Sequence, residues 1–516
     1  MKAQDYQISS EKFVFHNHDA NLHDGKLQTK PVSYFKDAMN RFAKNKGSIL
    51  AAFIIGLLIL FAIVVPFFSK YTVAYNDTYY RFTAPKWEVM RKLNIHFWDG
   101  GTEKEVPEAT YNQYLAIEQE TGREIIIGDV EVVKKEEFKK IKTYYKFRLD
   151  TYSSIGVVYM QVTEEDYKAI QAYQDKTGIQ VIYPQTNPDL RPVAEQDQAI
   201  ANFWYQTKLG DGNKTFPVYD ANGELIPIYS DYTGNDGYTS TVRVEGEGNY
   251  KYDYAQIVDS GYKIRVDYYN YYVYNHTEVL KDGIDKPSFL FGTTNFGQDV
   301  LTCLASGARF SFILAIIVAS VNLFVGAIYG AIEGYYGGKA DLIMERICDL
   351  LGAIPSMIVI TLLKYHLDVS HVVILFISFF ATGWMGMAGR TRMQFYRFKN
   401  QEYVLVARTL GAKDRRIMFK HIFPNAIGTL ITGSVLVIPS VIFSETSLSY
   451  LGIINLNTGN MTSVGTLLST GQNYLFTYPH MLLFPSLFIS LLMLSFNLFG
   501  NGLRDAFNPS LRGTEE

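Results

Sequence analysis

The sequence feature that most constrains the fold is a set of long apolar stretches without charge. The first, GSILAAFIIGLLILFAIVVPFFS over residues 47–69, contains no Asp, Glu, Lys or Arg. Since an α-helix rises about 1.5 Å per residue, this run is long enough to cross the roughly 30 Å hydrocarbon layer of a membrane. It begins too deep in the chain and is too long for a secretory signal peptide. We therefore predict a membrane-spanning helix.

Five further stretches have the same character. Six spans would place both termini on one side of the membrane. The third is the weakest, because only fourteen residues separate Asp349 from Lys364. The predicted spans are residues 47–69, 308–332, 345–364, 371–389, 426–446 and 479–500.

Lysine and arginine are distributed unevenly between the segments that join these spans. The first 46 residues contain eight of them and residues 390–420 contain nine, whereas residues 447–479 contain no charged residue. Cytoplasmic loops carry an excess of positive charge. We therefore expect both termini and the loop 390–425 in the cytoplasm, and residues 70–306 outside.

The segment before the first span has an amphipathic pattern, SYFKDAMNRFAKNK over residues 33–46. Phe35, Ala38, Met39 and Phe42 fall on one face of a helix, and the basic side chains lie largely off that face. Because a span follows directly, the pattern favours a helix on the membrane surface over a short soluble helix.

Residues 70–306 are polar, charged and rich in tyrosine. Two parts of this segment resemble each other, VPEATYNQYLAIEQETGREIII (106–127) and VTEEDYKAIQAYQDKTGIQVIY (162–183). Each predicts a helix, a Thr-Gly stop and a β-branched strand. KIRVDYYNYYVY (263–274) alternates like a strand. We predict an α+β domain with two related halves, and we interpret its nine tyrosines within residues 250–274 as sheet packing rather than as a surface for peptides or glycans.

The loop between the fourth and fifth predicted spans has helical signals of its own. EYVLVARTL (402–410) favours a helix, Gly411 interrupts it, and residues 412–421 favour a second short helix that Pro424 limits. The alternative is a solvated basic loop that serves only the charge asymmetry. Its basic side chains keep the loop in water and attract acidic partners: Arg408, Lys413, Arg415, Arg416 and Lys420.

These residues resemble a known family. Glu402, Ala407, Gly411 and Pro424-Asn425 are similar to the "EAA" coupling loop in permeases of ATP-binding-cassette (ABC) importers, in the form found in oligopeptide, dipeptide and nickel importers. Three other segments resemble that family's entry to span two, its next cytoplasmic loop and its external loop: FGTTNFGQDVLTCLASGARFSF (291–312), GYYGGKADLIMERICDLLGAIPSMI (334–358) and SLSYLGI (447–453).

The resemblance covers about residues 290–510 and implies an all-α polytopic membrane domain of six transmembrane helices with the type I ABC importer fold. A large extracellular α+β domain would be inserted into it. The implied order is a cytoplasmic segment 1–46, span 47–69, insertion 70–306, permease core 307–503 with the coupling loop 390–425, and a cytoplasmic tail 504–516.

In the resembled family the loop is seated in a groove of a cytoplasmic ATPase. Closing of two ATPases then rocks two paired permeases between inward-facing and outward-facing states. The resemblance therefore implies ATPase-coupling roles for Glu402, Ala407, Arg408, Gly411, Ala412, Lys413, Arg415, Arg416 and Pro424.

The resemblance implies a bacterial plasma membrane and the import of oligopeptides or dipeptides. The implied partners are a second, homologous permease, two cytoplasmic ATP-binding subunits, an extracellular substrate-binding lipoprotein, the peptide and membrane lipid, but no nucleic acid. A permease for nickel or another small solute is the alternative in the same class. A membrane-anchored surface receptor or wall-processing protein is the alternative from another class.

Other chemistry is sparsely represented in the sequence. GYYGGKA (334–340) lacks the GxxxxGK[ST] spacing of a phosphate-binding loop, so ATP and Mg²⁺ are expected on the partner ATPases and no cofactor or catalytic residue on this chain. His366, Asp368 and His371 are interpreted as loop residues rather than as a metal site, since no Cys or second acid joins them.

Glu445 is the one acidic residue between Lys420 and Arg504. A lone carboxylate near the outer end of a span is costly unless it faces water, protein or substrate. Two interpretations stay open: a candidate pathway residue that meets the amine of a peptide, and an interfacial residue.

Overall fold

The computed structural model describes residues 34–507 except 94, 138–139, 191–200, 211–214, 233–250, 260 and 458–460. Most of the predicted cytoplasmic segment 1–46 and of the tail 504–516, and the side chain of Phe35, lie outside the described residues.

Helices form both the membrane part and much of the connecting structure. They are α1 (Tyr34–Lys44), α2 (Lys46–Phe68), α3 (Glu88–Lys92), α4 (Glu108–Thr121), α5 (Glu164–Thr177), α6 (Tyr268–Tyr274), α7 (Val300–Tyr336), α8 (Gly338–Gly352), α9 (Ser356–His366), α10 (His371–Phe398), α11 (Glu402–Thr409), α12 (Asp414–Tyr450), α13 (Val464–Gln472) and α14 (His480–Phe507).

Strands are confined to the segment between α2 and α7 within the described ranges. They are β1 (Gly101–Pro107), β2 (Ile126–Glu137), β3 (Lys140–Asp150), β4 (Val157–Val162), β5 (Ile182–Tyr183), β6 (Thr207–Leu209), β7 (Thr215–Pro217), β8 (Ala255–Val258) and β9 (Gly261–Asp267).

Five of the described helices are long and apolar enough to cross a membrane, namely α2, α7, α10, α12 and α14. Each contains one of the predicted spans or coincides with it. The chain is therefore a multi-pass helical membrane protein.

The predicted span 345–364 is not one helix. Helices α8 and α9 meet at an angle of 69°, so the described residues contain five candidate spans, or six if this bent pair crosses once. Pro355 lies at the break and precedes the first residue of α9. A proline has no backbone N–H and disfavours the helical conformation of the residue before it, which accounts for the bend.

Helix α1 forms as predicted, and protein covers part of its apolar face, while Met39 on that face stays 46% exposed. Ala38 and Phe42 are buried against the end of α14, in a cluster that includes Phe507. The rings of Phe42 and Phe499 meet edge to face, with centroids 5.3 Å apart. Helix α1 therefore docks on the end of the last span, and its position on the membrane surface stays a prediction.

Helices α7 and α10 pack closely because small residues recur along α7. Gly326 and Gly330 stand four residues apart, and a Cβ at either position would collide with the backbone of α10, at Trp384 and Ala388 respectively. Small residues at this spacing let two transmembrane helices approach each other. Helix α7 is thus fixed to the span that leads into the 390–425 loop.

Two β-α-β units with the same strand order lie between α2 and α7. In the first unit β3 is the central strand between β1 and β2, and α4 connects β1 to β2. In the second unit β9 is the central strand between β4 and β5, and α5 connects β4 to β5. Both central strands pair antiparallel with their neighbours.

The two units also share the way in which their helices end and the side-chain hydrogen bonds that follow. Helices α4 and α5 both end at a left-handed glycine, Gly122 with φ 66° and Gly178 with φ 72°. After each glycine the chain turns back onto its helix. In each unit one side-chain oxygen accepts from the N–H of the first strand residue and from that of the residue before it. Oε1 of Glu118 does so at 2.9 and 2.6 Å, and Oε1 of Gln174 at 2.6 and 2.7 Å. The prediction of two related halves is confirmed.

The predicted strand 263–274 is only partly a strand. Strand β9 ends at Asp267, and Tyr268 begins helix α6. Helical spacing places the side chains of Tyr268 and Tyr272 in the same aromatic cluster, where both rings contact that of Tyr80. Burial of these rings overrides the alternating pattern, and the interpretation of the tyrosines as packing residues is confirmed for this cluster.

The chain leaves the membrane part and returns to it at one place. The Lys86 N–H donates to the Phe289 carbonyl at 2.9 Å, and the Ser288 hydroxyl donates to the Lys86 carbonyl at 3.3 Å. We call residues 87–287 the inserted segment. The first and last residues of the segment therefore lie side by side, so it is attached to the membrane part as a unit.

Candidate functional site

The candidate site is a helical hairpin formed by α11 and the first turns of α12. Helix α11 ends in a turn in which the Ala412 N–H donates to the Ala407 carbonyl at 3.0 Å, and the Gly411 N–H donates to the Arg408 carbonyl at 3.0 Å. These are the two bonds of a Schellman motif, which needs a left-handed residue at its centre. Gly411 has φ +80°.

Space does not explain the glycine at position 411. Among the residues that the structure describes, nothing lies within 4 Å of the position that its Cβ would occupy. The backbone conformation alone requires glycine in this chain, because other residues adopt left-handed angles at a free-energy cost of about 1–2 kcal/mol. The predicted interruption at Gly411 is therefore present as a chain reversal.

The hairpin is attached to the membrane part by an apolar cluster. Val404 and Ala407 face inward, and so does Ile417 from α12. Val404 and Ile417 lie in one cluster with Tyr335 of α7 and Phe395 of α10. Force applied to the hairpin therefore reaches three transmembrane helices directly.

Tyr335 joins both arms of the hairpin to α7. Its hydroxyl donates to Asp414 Oδ1 at 2.6 Å and accepts from Nη2 of Arg408 at 3.5 Å. On the outer side of the hairpin, the Asn425 amide donates to the Tyr403 hydroxyl at 3.3 Å. Partial burial raises the pKa of Tyr403 and the Asn425 hydrogen bond opposes this rise, so its phenol stays neutral near pH 7.

The outward face of the hairpin is both basic and apolar. Lys413, Arg415, Arg416 and Lys420 surround the ring of Phe419 and line a shallow cavity of about 460 Å³. Val406 and Leu410, from the facing arm, are 56% and 82% exposed. Large exposed apolar side chains beside clustered charge are typical of a surface that binds another protein.

The structure brings the nine predicted coupling residues together in this hairpin. Ala407 is buried beneath it, and Ala412 is partly buried in the turn. The other seven are exposed: Glu402, Arg408, Gly411, Lys413, Arg415, Arg416 and Pro424.

Two kinds of residue were missed in the sequence. Tyr335 and Asp414 lie 79 residues apart, and no local pattern connects them. The sequence does contain a pattern that could have identified the exposed apolar residues Val406, Leu410 and Phe419. On α11 the apolar residues occupy two opposite faces, and the second face has no partner within the described chain.

Pro424 does not end a short helix as predicted. It lies inside α12, directly after a π-helical turn at Ile417–Ile422. Proline lacks the N–H that an α-helix needs, and a wider turn accommodates it without ending the helix. The second arm of the hairpin is therefore continuous with the span, because α12 runs without a stop from Asp414 to Tyr450.

Glu445, the candidate pathway residue, lies between two transmembrane helices. Its side chain is fully buried inside the single chain. It accepts hydrogen bonds from the hydroxyl of Ser311 on α7 at 2.7 Å and from that of Ser449 at 3.0 Å. In this conformation the carboxylate joins α7 to α12 and faces no open pathway.

The two histidines considered as metal ligands use one ring nitrogen each on the backbone. His366 Nδ1 lies 2.9 Å from the Leu362 carbonyl oxygen, and His371 Nδ1 lies 2.6 Å from that of Asn455. Within the described ranges, the carboxylates that converge closely are those of Glu333, Asp341 and Glu345. The Arg392 guanidinium lies among them, at 2.6 Å from Asp341 and from Glu345 and 3.5 Å from Glu333.

Two family models match this chain. The model for the binding-protein-dependent transport system inner membrane component matches residues 323–513. The model for the N-terminal TM domain of oligopeptide transport permease C matches residues 33–85. The oligopeptide transport system permease protein OppC of Bacillus subtilis is 42% identical over 244 residues, which cover 47% of this chain and 78% of that protein. The chain belongs to this family of transport permeases.

Two other permeases are similar in sequence to this chain, and part of the chain aligns with one solved structure. The dipeptide transport system permease protein DppC of Bacillus subtilis is 39% identical over 224 residues, 43% of this permease and 69% of that protein. OppC of Haemophilus influenzae is 38% identical over 222 residues, 43% of this permease and 70% of that protein. A chain of the MetNI methionine ABC transporter aligns with TM-score 0.28 and 11% identity, over 38% of this permease and 94% of that chain.

The two matched regions leave residues 86–322 of the permease between them. The first match ends at residue 85, one residue before the Lys86–Phe289 contact where the inserted segment begins. As an inner membrane component of a binding-protein-dependent system, the permease is a transport subunit and not an enzyme.

Proposed function

We propose that this permease forms half of the translocation pathway of an importer for oligopeptides or dipeptides. The named relatives are oligopeptide and dipeptide permeases, and the family is that of binding-protein-dependent transport. The observation that carries the proposal is the outward face of the hairpin, where clustered cations lie beside the exposed side chains of Leu410 and Phe419.

The hairpin is proposed to be the element on which the conformational change of an ATPase acts. Its inward face packs on the inner ends of α7 and α10. Its second arm continues into α12, which is 37 residues or about 55 Å long. A displacement of the hairpin would therefore tilt α12, and the helices that pack against α12 would move with it.

The partners follow from this role. A second, homologous permease would complete the pathway, two cytoplasmic ATP-binding subunits would bind ATP and Mg²⁺, and an extracellular substrate-binding lipoprotein would deliver the peptide. The charge distribution supports a bacterial plasma membrane with both termini and the hairpin inside. Cysteines placed at Asn400 and at the exposed Ile257 test this: an impermeant reagent applied to intact cells should label only position 257.

The inserted segment is proposed to dock the substrate-binding protein. The residues that flank it are fixed at the outer ends of the spans, where the rings of Phe82 and Tyr478 stack with centroids 4.5 Å apart. Within the segment, the Phe97 ring meets that of Phe484 edge to face with centroids 5.8 Å apart. A docking platform needs such a rigid attachment, because it must hold its partner in register with the pathway.

The proposed coupling is tested by removing charge from the outward face. The variant Lys413→Gln/Arg415→Gln/Arg416→Gln should insert normally but recover at least about tenfold less ATPase in a pull-down, since hydrogen bonds from charged groups contribute roughly 1.5–3 kcal/mol each. Peptide uptake should fall in parallel.

A matched control keeps the charge loss and moves it elsewhere. Lys339→Gln/Arg346→Gln/Lys364→Gln removes the same number of cations from α8 and α9 and should retain the ATPases. Equal recovery by both variants, with uptake unchanged, would exclude the hairpin as the coupling element.

A further inference from the structure

A second cavity lies between α10, α12 and α14, at the end of the bundle that carries the hairpin. It has a volume of about 380 Å³, within the range of about 300–1,000 Å³ that is usual for ligand pockets. Arg390, Arg397 and Arg504 line it, together with Met393, Leu436 and Phe507. It therefore combines three guanidinium groups with an apolar wall.

These three arginines are not neutralised by the described part of the chain, where none of them forms an ion pair. By contrast, Arg392, which lies on α10 with Arg390 and Arg397, is surrounded by three carboxylates. Like charges held close together repel each other unless an anion lies between them. The cavity is therefore suited to an anion supplied from outside the chain.

One of the arginines is held in place by the fold. Nη1 of Arg390 donates to the Gly433 carbonyl at 3.0 Å. A Cβ at Gly433 would lie 2.7 Å from the same Nη1, so the glycine leaves the space that this guanidinium occupies. The positions of the side chain on α10 and of the glycine on α12 are thus matched.

The cavity lies at the level where the spans meet the aqueous phase. Arg390 follows the apolar run of α10, and Arg504 is in the last turn of α14, which ends at Phe507. Arg397 is likewise in the last turn of α10. In a membrane this is the depth of the phospholipid headgroups.

We propose that this cavity binds the phosphate of an anionic phospholipid. Guanidinium groups bind phosphate oxygens in a bidentate manner, and basic pockets between transmembrane helices on the cytoplasmic side bind anionic headgroups. Met393, Leu436 and Phe507 would contact the first carbons of the acyl chains. The lipid would then join α10 to α14 beside α12, and the permease would depend on anionic lipid.

Native mass spectrometry of the purified full-length permease tests the proposal. The probes are phosphatidylglycerol, zwitterionic phosphatidylcholine and inorganic phosphate. Arg390→Gln/Arg397→Gln/Arg504→Gln should weaken phosphatidylglycerol binding by about tenfold or more, since each lost charged hydrogen bond weakens it severalfold. The control Arg346→Gln/Arg415→Gln/Arg416→Gln removes the same charge outside the cavity and should change binding less than about twofold.

Each contrary outcome has a distinct meaning. Equal loss in both triple variants overturns the site, because charge alone would then explain binding. Displacement of phosphatidylglycerol by millimolar inorganic phosphate overturns the lipid source and leaves a free-phosphate site. Displacement by trialanine assigns the cavity to the peptide pathway instead. Because binding is measured without transport, failure here is distinguishable from failure of the proposed function.

A single variant guards against misfolding of the triple one. The Arg397 guanidinium lies 5.5 Å from the centroid of the Phe398 ring, a contact that contributes about 0.5–1 kcal/mol at an exposed site, so Arg397→Gln should leave the permease folded with little change in thermal stability. It should still weaken phosphatidylglycerol binding several-fold. Unchanged binding in this folded variant overturns the proposal.

Discussion

At the scale of single residues, the reversal of the hairpin depends on the backbone of Gly411. Its left-handed conformation is strained for most residues, but nothing in the chain crowds its Cβ position. Asparagine tolerates left-handed angles and β-branched residues do not. Gly411→Asn should therefore keep most of the substrate-stimulated ATPase activity of the assembled importer, whereas Gly411→Val should lose most of it.

Hydrogen exchange of the Ala412 amide, whose bond closes the turn, reports the same difference in the permease itself. Equal loss of activity in both variants, with this amide still protected in Gly411→Asn, contradicts the backbone argument. It would mean that a partner approaches the glycine too closely for any side chain.

The sequence predicted the turn but not what holds it. Glycine after a helical run is a local signal, so the position of Gly411 could be predicted. The bond between Tyr335 and Asp414 depends on two distant segments meeting, and no local pattern encodes it. Glu445 shows the same limit, because the serine that binds its carboxylate from α7 is 134 residues away.

At the scale of elements, Arg392 holds α8 onto α10. Its guanidinium donates to both carboxylate oxygens of Asp341 and to both of Glu345. We expect Arg392→Gln to leave three facing carboxylates and to increase amide exchange throughout α8 by about tenfold to a hundredfold, or roughly 1.5–3 kcal/mol.

Arg346→Gln provides the comparison within the same helix. Its partner is Asp349, one turn away, and both side chains are more than half exposed. Such a pair contributes at most about 1 kcal/mol, so exchange should change little. If both variants open α8 equally, Arg392 has no special role in holding it.

Elements with a strong local period were predicted well, and those set by packing were not. The apolar runs gave the positions of five spans because each is long and uniform. The bend at Pro355 divides a run that hydropathy alone reads as continuous. In the segment 263–274 the tyrosines alternate by sequence, yet a shared aromatic cluster draws Tyr268 and Tyr272 into a helix.

At the scale of the whole molecule, the adjacent ends of the inserted segment allow its removal. Replacing residues 87–287 with a short Gly/Ser linker should leave assembly with the ATPases intact, since Lys86 and Phe289 are already in hydrogen-bond contact. Affinity for the substrate-binding protein should fall, and uptake should fall with it. Affinity and uptake that both stay at the native level would contradict the docking role.

A single substitution inside the inserted segment tests the folding of the segment without changing its attachment to the spans. Arg265 and Glu120 form a buried bidentate pair inside the segment. Glu120→Gln leaves a buried guanidinium without its counter-charge and should destabilise the segment by about 3–5 kcal/mol. Limited proteolysis of the full chain should then cut the segment and spare the spans.

The meeting of Lys86 with Phe289 also bears on how such a chain can grow longer. Closing a flexible loop of about 200 residues instead of about five costs on the order of 3 kcal/mol of entropy. Folding of the segment removes that cost, because its two ends then stand at a fixed short separation. The same arrangement recurs one level further out, where the Gln185 N–H donates to the Asp253 carbonyl at 2.8 Å and closes off the stretch between them. The inserted segment and the stretch enclosed within it therefore hold the ends of the transmembrane helices together as one tight turn would.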